Sequence, residues 1–215
     1  QGFVRVVAKI WGGILVLGMK VWLGLNVKII GNYQKNKPCI IAVKHQSAWE
    51  TIICTSIFDM PSIVLKKELI YIPIIGLYFL KGRAIPIIRE NTIESLKKIV
   101  KIAKINLKKG SSILIFPQGT RVPLHASTKD YPYQSGIYFL YSQCNIPVIP
   151  VAHNAGLFWP KNSFLKYPDR HKTKTVTLEI MDEIPTGLDK KTFMDRLEKS
   201  IEDKTRKLIK EESDG

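Results

Sequence analysis

His45 and Glu50 are the pair in this sequence whose types and spacing best suit proton chemistry. An imidazole takes and releases a proton near neutral pH, and a carboxylate beside it fixes the tautomer and stabilises the cation. Residues five apart on an unbroken helix are separated by about 140° of rotation, at about 100° per residue, so the two meet only where the chain bends. The local sequence supplies a bend. Ile40-Ile41-Ala42-Val43 is an apolar run of β type, and a helix-like run over 51–58 follows. Ser47-x-x-Glu50 has capping-box spacing, which puts the helix start near Ser47 and His45 in the turn before it. A second reading fits the same spacing: Glu50 only caps the helix, and His45 is a polar turn residue.

Two more stretches carry residues that a core does not need. Gly82-Arg83-Ala84-Ile85-Pro86-Ile87-Ile88-Arg89 is a strand that ends on a cation. In Phe116-Pro117-Gln118-Gly119-Thr120-Arg121 a strand runs into a Gly-bearing turn. There Gly119 lets backbone N–H groups approach an anion, Thr120 offers a hydroxyl, and Arg121 offers a bidentate fork. Polar clusters at strand ends suit an α/β protein, because such sheets bind ligands beyond their strand termini.

The elements that must position these residues alternate along the chain. Strand-like runs fall at 27–30, 39–43, 62–65, 84–88, 112–116, 148–152 and 175–180. A helix is expected over 92–109, with Asn91 as its cap and Gly110 at its end. Its core face is Ile93, Leu96, Val100, Ala103 and Leu107, and Lys97, Lys101, Lys104 and Lys108 form a basic face. A last helix over 190–210 buries Phe193, Leu197, Ile201 and Leu208, with Asp189 as cap. The alternation predicts an α/β fold: a mixed, mostly seven-stranded sheet with helices on both faces.

Residues 1–25 form the other expected unit, a membrane-associating helix, with residues 26–215 as the α/β domain. The apolar run is broken by Lys9 and Lys20, which argues against a bilayer span, and no small-residue cleavage site follows. Arg5, Lys9 and Lys20 make a basic stripe, and Trp11, Ile14, Leu15, Trp22 and Leu25 lie largely elsewhere. A helix lying in a membrane interface needs that division; a core-facing helix is the alternative. The net charge of +15 over 215 residues calls for an anionic partner, a membrane surface in preference to nucleic acid, since the lysines are dispersed and no nucleic-acid motif is present. Cys39, Cys54 and Cys144 have no paired spacing and read as reduced thiols of a cytosol-facing protein. No His, Cys and carboxylate cluster has metal-ligand spacing, so no metal site is expected.

Taken together, these stretches resemble the glycerolipid acyltransferase family, in particular its bacterial members that act on lysophosphatidic acid. Four motifs occur in order between about residues 26 and 184. His45-x4-Glu50 matches the family's His-x4-Asp, with Glu for Asp and Lys44 where asparagine is usual. Arg89 matches the arginine that ends the second motif, although Ile88 replaces the acidic residue before it. Residues 116–121 match Phe-Pro-Glu-Gly-Thr-Arg with Gln118 for Glu, and Ile146-Pro147-Val148-Ile149-Pro150-Val151 matches the fourth motif. Lys66-Lys67-Glu68-Leu69, Pro73 and Gly76 are similar to the segment before the second.

The resemblance implies transfer of a fatty acyl group from a thioester, on coenzyme A or acyl carrier protein, to the 2-hydroxyl of lysophosphatidic acid, with no cofactor. His45 would be the general base and Glu50 its orienting partner. Arg89 and Arg121 would hold the acceptor phosphate, with Gln118, Gly119 and Thr120 in the same loop. It also implies a peripheral or monotopic protein of the inner (cytoplasmic) membrane, its catalytic domain facing the cytosol and its helix on an anionic surface. An acyltransferase for another lyso-lipid, such as a lyso-ornithine lipid, would share His45 and Glu50 with less need of the arginines. A non-catalytic lipid-binding protein would explain the charge and the helix but not four ordered motifs.

Overall fold

Strand β2 (Ile40–Val43) lies at the centre of the sheet, and its four side chains are all buried. Ile41 and Val43 point into one core, Ile40 and Ala42 into the other. That two-sided burial is why the run is continuously apolar and not alternating. A computed structural model of the chain describes residues 2–88, 93–161 and 174–214. Along it run α1 (Gly2–Leu23), β1 (Leu25–Ile30), β2, α2 (Trp49–Ile57), β3 (Ser62–Lys66), α3 (Ile75–Lys81) and β4 (Ile85–Ile87). There follow α4 (Ile93–Lys108), β5 (Ile113–Ile115), α5 (Gly136–Cys144), β6 (Val148–His153), β7 (Lys174–Ile180) and α6 (Lys190–Asp214).

The seven strands form one sheet in the order β1-β7-β6-β2-β5-β3-β4. Every pairing is parallel except β6 with β7, so β7 and β1 run against the other five strands. One core lies between the sheet and α1, α2 and α3, through Met19, Trp49, Ile53, Cys54 and Phe79. The other lies under α4, α5 and α6, through Val100, Ala103, Ile137, Leu140, Phe193, Leu197 and Ile201. The seven expected strands and the two-faced α/β architecture are present.

Local differences have physical causes. Leu25 is not part of the N-terminal helix; it is the buried first residue of β1, paired with Lys174. Ile93 is exposed, because the core face of α4 begins only where the helix reaches the sheet. The expected Asn91 cap lies outside the described residues. Asp189 accepts the Thr192 N–H at 3.1 Å, as an N-terminal cap should. Gly110, expected to end α4, has φ +78° and donates its N–H to Leu107 at 2.9 Å.

Helix α1 has two apolar faces. Val4, Ala8, Gly12 and Met19 are buried, and α1 packs along α2. Phe3, Val6, Ile10, Ile14, Leu17 and Val21 recur at three- and four-residue steps on an exposed row, flanked by Trp11 and Trp22. Arg5 and Lys9 both reach Asp59, just past α2, at 3.2 and 3.8 Å. By length and composition α1 would also suffice to cross a membrane. The three cysteines are free, and burial pushes the Cys39 thiol up to about 11.

Candidate active site

Strands β2 and β5 are neighbours and parallel, so their carboxyl ends open side by side at one edge of the sheet. His45 follows β2 and Phe116 follows β5. The His45 ring stacks on that of Phe116, centroids 3.9 Å apart and planes 18° from parallel. The Val122 N–H donates to the His45 carbonyl at 2.7 Å. The loop over 116–121 is therefore fastened to the histidine by a ring contact and a backbone bond.

The chain bends between His45 and Glu50, and the two side chains meet. His45 Nδ1 lies 2.7 Å from Glu50 Oε1. The same carboxylate accepts the Gln46 N–H at 3.0 Å and the Ser47 N–H at 2.9 Å. Both readings of the spacing are thus physically realised: Glu50 caps the turn and also holds the imidazole. The helix itself starts at Trp49, later than the capping box suggested, and Ser47 Oγ accepts the Trp49 N–H at 3.2 Å. Glu50 is fully buried, while the His45 side chain keeps some access to solvent. With Nδ1–H given to the carboxylate, Nε2 is the atom free to take a proton.

A second histidine stands behind the first. His153, at the end of β6, donates its Nε2–H to the Lys44 carbonyl at 2.7 Å and accepts the Ala155 N–H on Nδ1 at 3.2 Å. Those two bonds fix its neutral tautomer. Its Nε2 is also 3.8 Å from Glu50 Oε2. Burial pushes the His153 pKa below the ordinary value; Glu50 and the Lys44 carbonyl pull it up, and His45 and the Lys44 ammonium add smaller downward pushes. The native state thus stays unprotonated in a range where the unfolded chain binds a proton. Stability is expected to rise with pH up to about 6.5, with a slope of at most about 1.4 kcal/mol per pH unit. Denaturant titrations at several pH values check this, and His153→Gln, which keeps the donor to Lys44, should flatten the slope.

Lys44 itself is 2 % exposed. Its Nζ lies 2.6 Å from Glu202 Oε1 on α6, and the Tyr133 hydroxyl donates to the same oxygen at 2.8 Å. Burial lowers the Lys44 pKa and the Glu202 carboxylate opposes that. Burial likewise raises that of Tyr133 well above normal, so the phenol keeps its proton for the bond.

In the loop over 116–121, the Gly119 N–H closes a turn onto the Phe116 carbonyl at 2.9 Å, with Pro117 at the second position and Gly119 at φ +67°. Glycine adopts that left-handed φ without strain, and its own amide is already taken. Gln118 is buried and its amide donates to the Tyr131 carbonyl at 2.9 Å, so its polar head is committed to the loop. A glutamate there would have no hydrogen to give. Thr120 and Arg121 are half-exposed, and Arg121 has no carboxylate partner among the described residues. The structure thus brings His45, Glu50 and residues 118–121 together at one sheet edge. Arg89 lies outside the described residues. Lys44, His153, Tyr133 and Glu202 were not found by sequence reasoning, and only Lys44, a charge directly after an apolar run, carried any signal.

A family model described as acyltransferase matches residues 24–154. The 1-acyl-sn-glycerol-3-phosphate acyltransferase of Pseudomonas aeruginosa is 38 % identical over 165 residues, covering 76 % of this chain and 63 % of that protein. The enzyme of the same name from Limnanthes douglasii is 25 % identical over 159 residues, covering 73 % of this chain and 56 % of its own length. This chain therefore spans less than two thirds of either relative. The crystal structure of the 1-acyl-sn-glycerophosphate acyltransferase PlsC of Thermotoga maritima superposes with a TM-score of 0.77 over 96 % of this chain and 80 % of that one, at 20 % identity. The fold is the same. With the matched segment running from β1 through the histidine–carboxylate pair to the end of β6, the chain belongs to the acyltransferase family.

Proposed function

We propose that this chain transfers a fatty acyl group from an acyl thioester, carried on coenzyme A or acyl carrier protein, to the 2-hydroxyl of lysophosphatidic acid, forming phosphatidic acid. The observation that carries the reading is the His45 Nδ1–Glu50 contact of 2.7 Å, which leaves the other ring nitrogen free to take a proton from an acceptor hydroxyl. His45 Nε2 takes the hydroxyl proton as the oxygen attacks the thioester carbonyl. The tetrahedral intermediate collapses with cleavage of the C–S bond, and the imidazolium returns the proton to the departing thiolate. The thioester is already activated, so the protein need form no covalent intermediate. The decisive assay mixes the protein with lysophosphatidic acid and radiolabelled acyl-coenzyme A or acyl carrier protein; absence of labelled phosphatidic acid from both donors would end the proposal.

Arg121 supports a phosphate-bearing acceptor: it offers a planar fork, it precedes Val122, whose N–H bonds the His45 carbonyl, and it has no carboxylate of its own among the described residues. Arg89 shares this role on the strength of the motif. Arg121→Ala is expected to cost roughly 2–5 kcal/mol in acceptor kcat/KM, as for a truncated charge pair, and to spare the acyl-donor KM. Arg121→Lys should recover only part of the loss. Steady-state kinetics with each substrate varied in turn checks this, and an unchanged acceptor kcat/KM removes Arg121 from the site.

The protein is further read as a monotopic protein of the cytoplasmic face of the inner membrane. The exposed apolar row of α1 supports contact with lipid. The opposite face of α1 is seated on the domain from Val4 to Met19, which favours a helix lying along the surface over one crossing the bilayer. Anionic lipid should strengthen the attachment and salt weaken it.

A further inference from the structure

Between β3 and β4 the chain makes a short 3-10 turn (Lys67–Tyr71) and then α3, and this segment turns its apolar side chains outward. Tyr71, Ile72, Ile74, Ile75, Leu77 and Leu80 are all exposed, Ile74 at 75 %. The segment is nevertheless built. Phe79 anchors it in the core, and the Gly76 N–H bonds the Ile72 carbonyl at 2.7 Å. A Cβ on Gly76 would come within 1.9 Å of the Ile70 carbonyl oxygen, so only glycine lets the turn lie against the helix. Ile74 has φ +67°, a costly conformation for a β-branched residue. Packing within the fold gives nothing back for that cost, since the strained side chain projects away from the protein.

The segment lies beside α1. The Trp11 and Tyr78 rings stack with centroids 6.0 Å apart, and Tyr78 packs against Val4, Ala8 and Met60. The exposed row of α1 and the exposed side of α3 thus form one apolar surface two elements wide, far more than scattered surface residues give. Its rim is basic: Lys9 and Lys20 on α1 and Lys66, Lys67 and Lys81 around the second segment are all exposed. Against them stand Glu68 and Asp59, and Asp59 is already taken by Arg5 and Lys9. Trp22 and Tyr71 provide interfacial aromatics. The surface also reaches the site. β3 ends at Lys66 at the same sheet edge as His45, and α1 ends there too, because β1 runs opposite to β2.

We propose that residues 69–80 are a second membrane-inserting element, which with the outer face of α1 lays the protein on an anionic bilayer and sets the site's mouth at the lipid surface. This deepens the reading above, because a single-chain lysophospholipid acceptor would then pass to His45 without entering water. The basic rim favours lipid over a second copy of the chain, since two copies meeting through this face would bring like charges together.

Ile74→Asn with Leu77→Gln in the full chain tests this; both side chains are exposed and asparagine removes the β-branch at the strained residue, so an unchanged thermal melt is expected. Sedimentation with phosphatidylcholine–phosphatidylglycerol vesicles should show at least about tenfold weaker binding, since burying one such side chain is worth that much. Acyl transfer to vesicle-borne lysophosphatidic acid should fall in parallel, while transfer to a short-chain, monomeric lysophosphatidic acid stays unchanged. Vesicle binding equal to that of the parent protein would overturn the proposal. So would a parent protein that is dimeric without lipid and a variant that is monomeric yet binds vesicles normally. If the parent protein acylates neither acceptor, the acyltransferase reading fails, and the sedimentation result still decides the surface.

Discussion

Replacing His45 by alanine is expected to lower acyl transfer by at least 10²–10⁴-fold, the usual worth of a general base, in a protein that remains folded. Glu50 is the informative partner, because one carboxylate serves His45, Gln46 and Ser47 together. Glu50→Gln puts an amide N–H among three donors, so an unfolding free energy lower by roughly 1–3 kcal/mol is expected along with a loss of turnover. The two effects separate when kcat is measured per folded molecule under conditions where the variant is native. A cap alone predicts normal kcat for the folded protein; a dyad predicts a fall by orders of magnitude. Glu50→Asp, with charge kept, should retain measurable activity. The double variant His45→Ala, Glu50→Gln should be little worse than His45→Ala alone, since a base already missing cannot be misoriented. Full kcat in folded Glu50→Gln would leave His45 without its orienting group.

The second large effect belongs to Lys44 and Glu202. Breaking a buried pair strands a charge, and Lys44→Ala or Glu202→Leu is expected to cost about 3–5 kcal/mol of unfolding free energy. Replacing all three members, as in Lys44→Met, Glu202→Leu and Tyr133→Phe, should return most of the lost stability, because no buried charge is then left alone. Chemical denaturation of the single and triple variants gives the comparison. If Lys44→Ala unfolds at the parent's denaturant midpoint, the pair is not worth what its burial implies.

Much of this architecture was legible because the relevant signals are local. The seven strands announce themselves as short apolar runs, and the turn before α2 follows from the 100° geometry of a helix and the spacing of Ser47 and Glu50. The contact between His45 and Glu50 needed no knowledge of the rest of the chain. Strand order did not follow, since it depends on pairings such as Ile40 with Val148 that no local pattern encodes. Lys44 was hidden for the same reason: its partner is 158 residues away, and a lysine after an apolar strand looks like a solvent-facing turn. Ile93 fits the helical period of the core face of α4 yet is exposed, because period fixes a direction and not a depth. The motif placed Gln118 in the loop, but not the bond from its amide to the Tyr131 carbonyl, which belongs to an irregular segment with no periodic signal.

The long reach of the Lys44–Glu202 contact also sets an order of events when the chain is made. Ribosomes add about 5–20 residues per second, so the 158 residues between the two take roughly 8–30 s to synthesise. Until α6 emerges, β2 ends on an ammonium with no carboxylate to meet it, and the turn that carries His45 lacks that anchor. Nascent chains stalled before residue 202 are therefore expected to keep β2 solvent-accessible to proteolysis. A helix made 158 residues later completes the turn that Lys44 began.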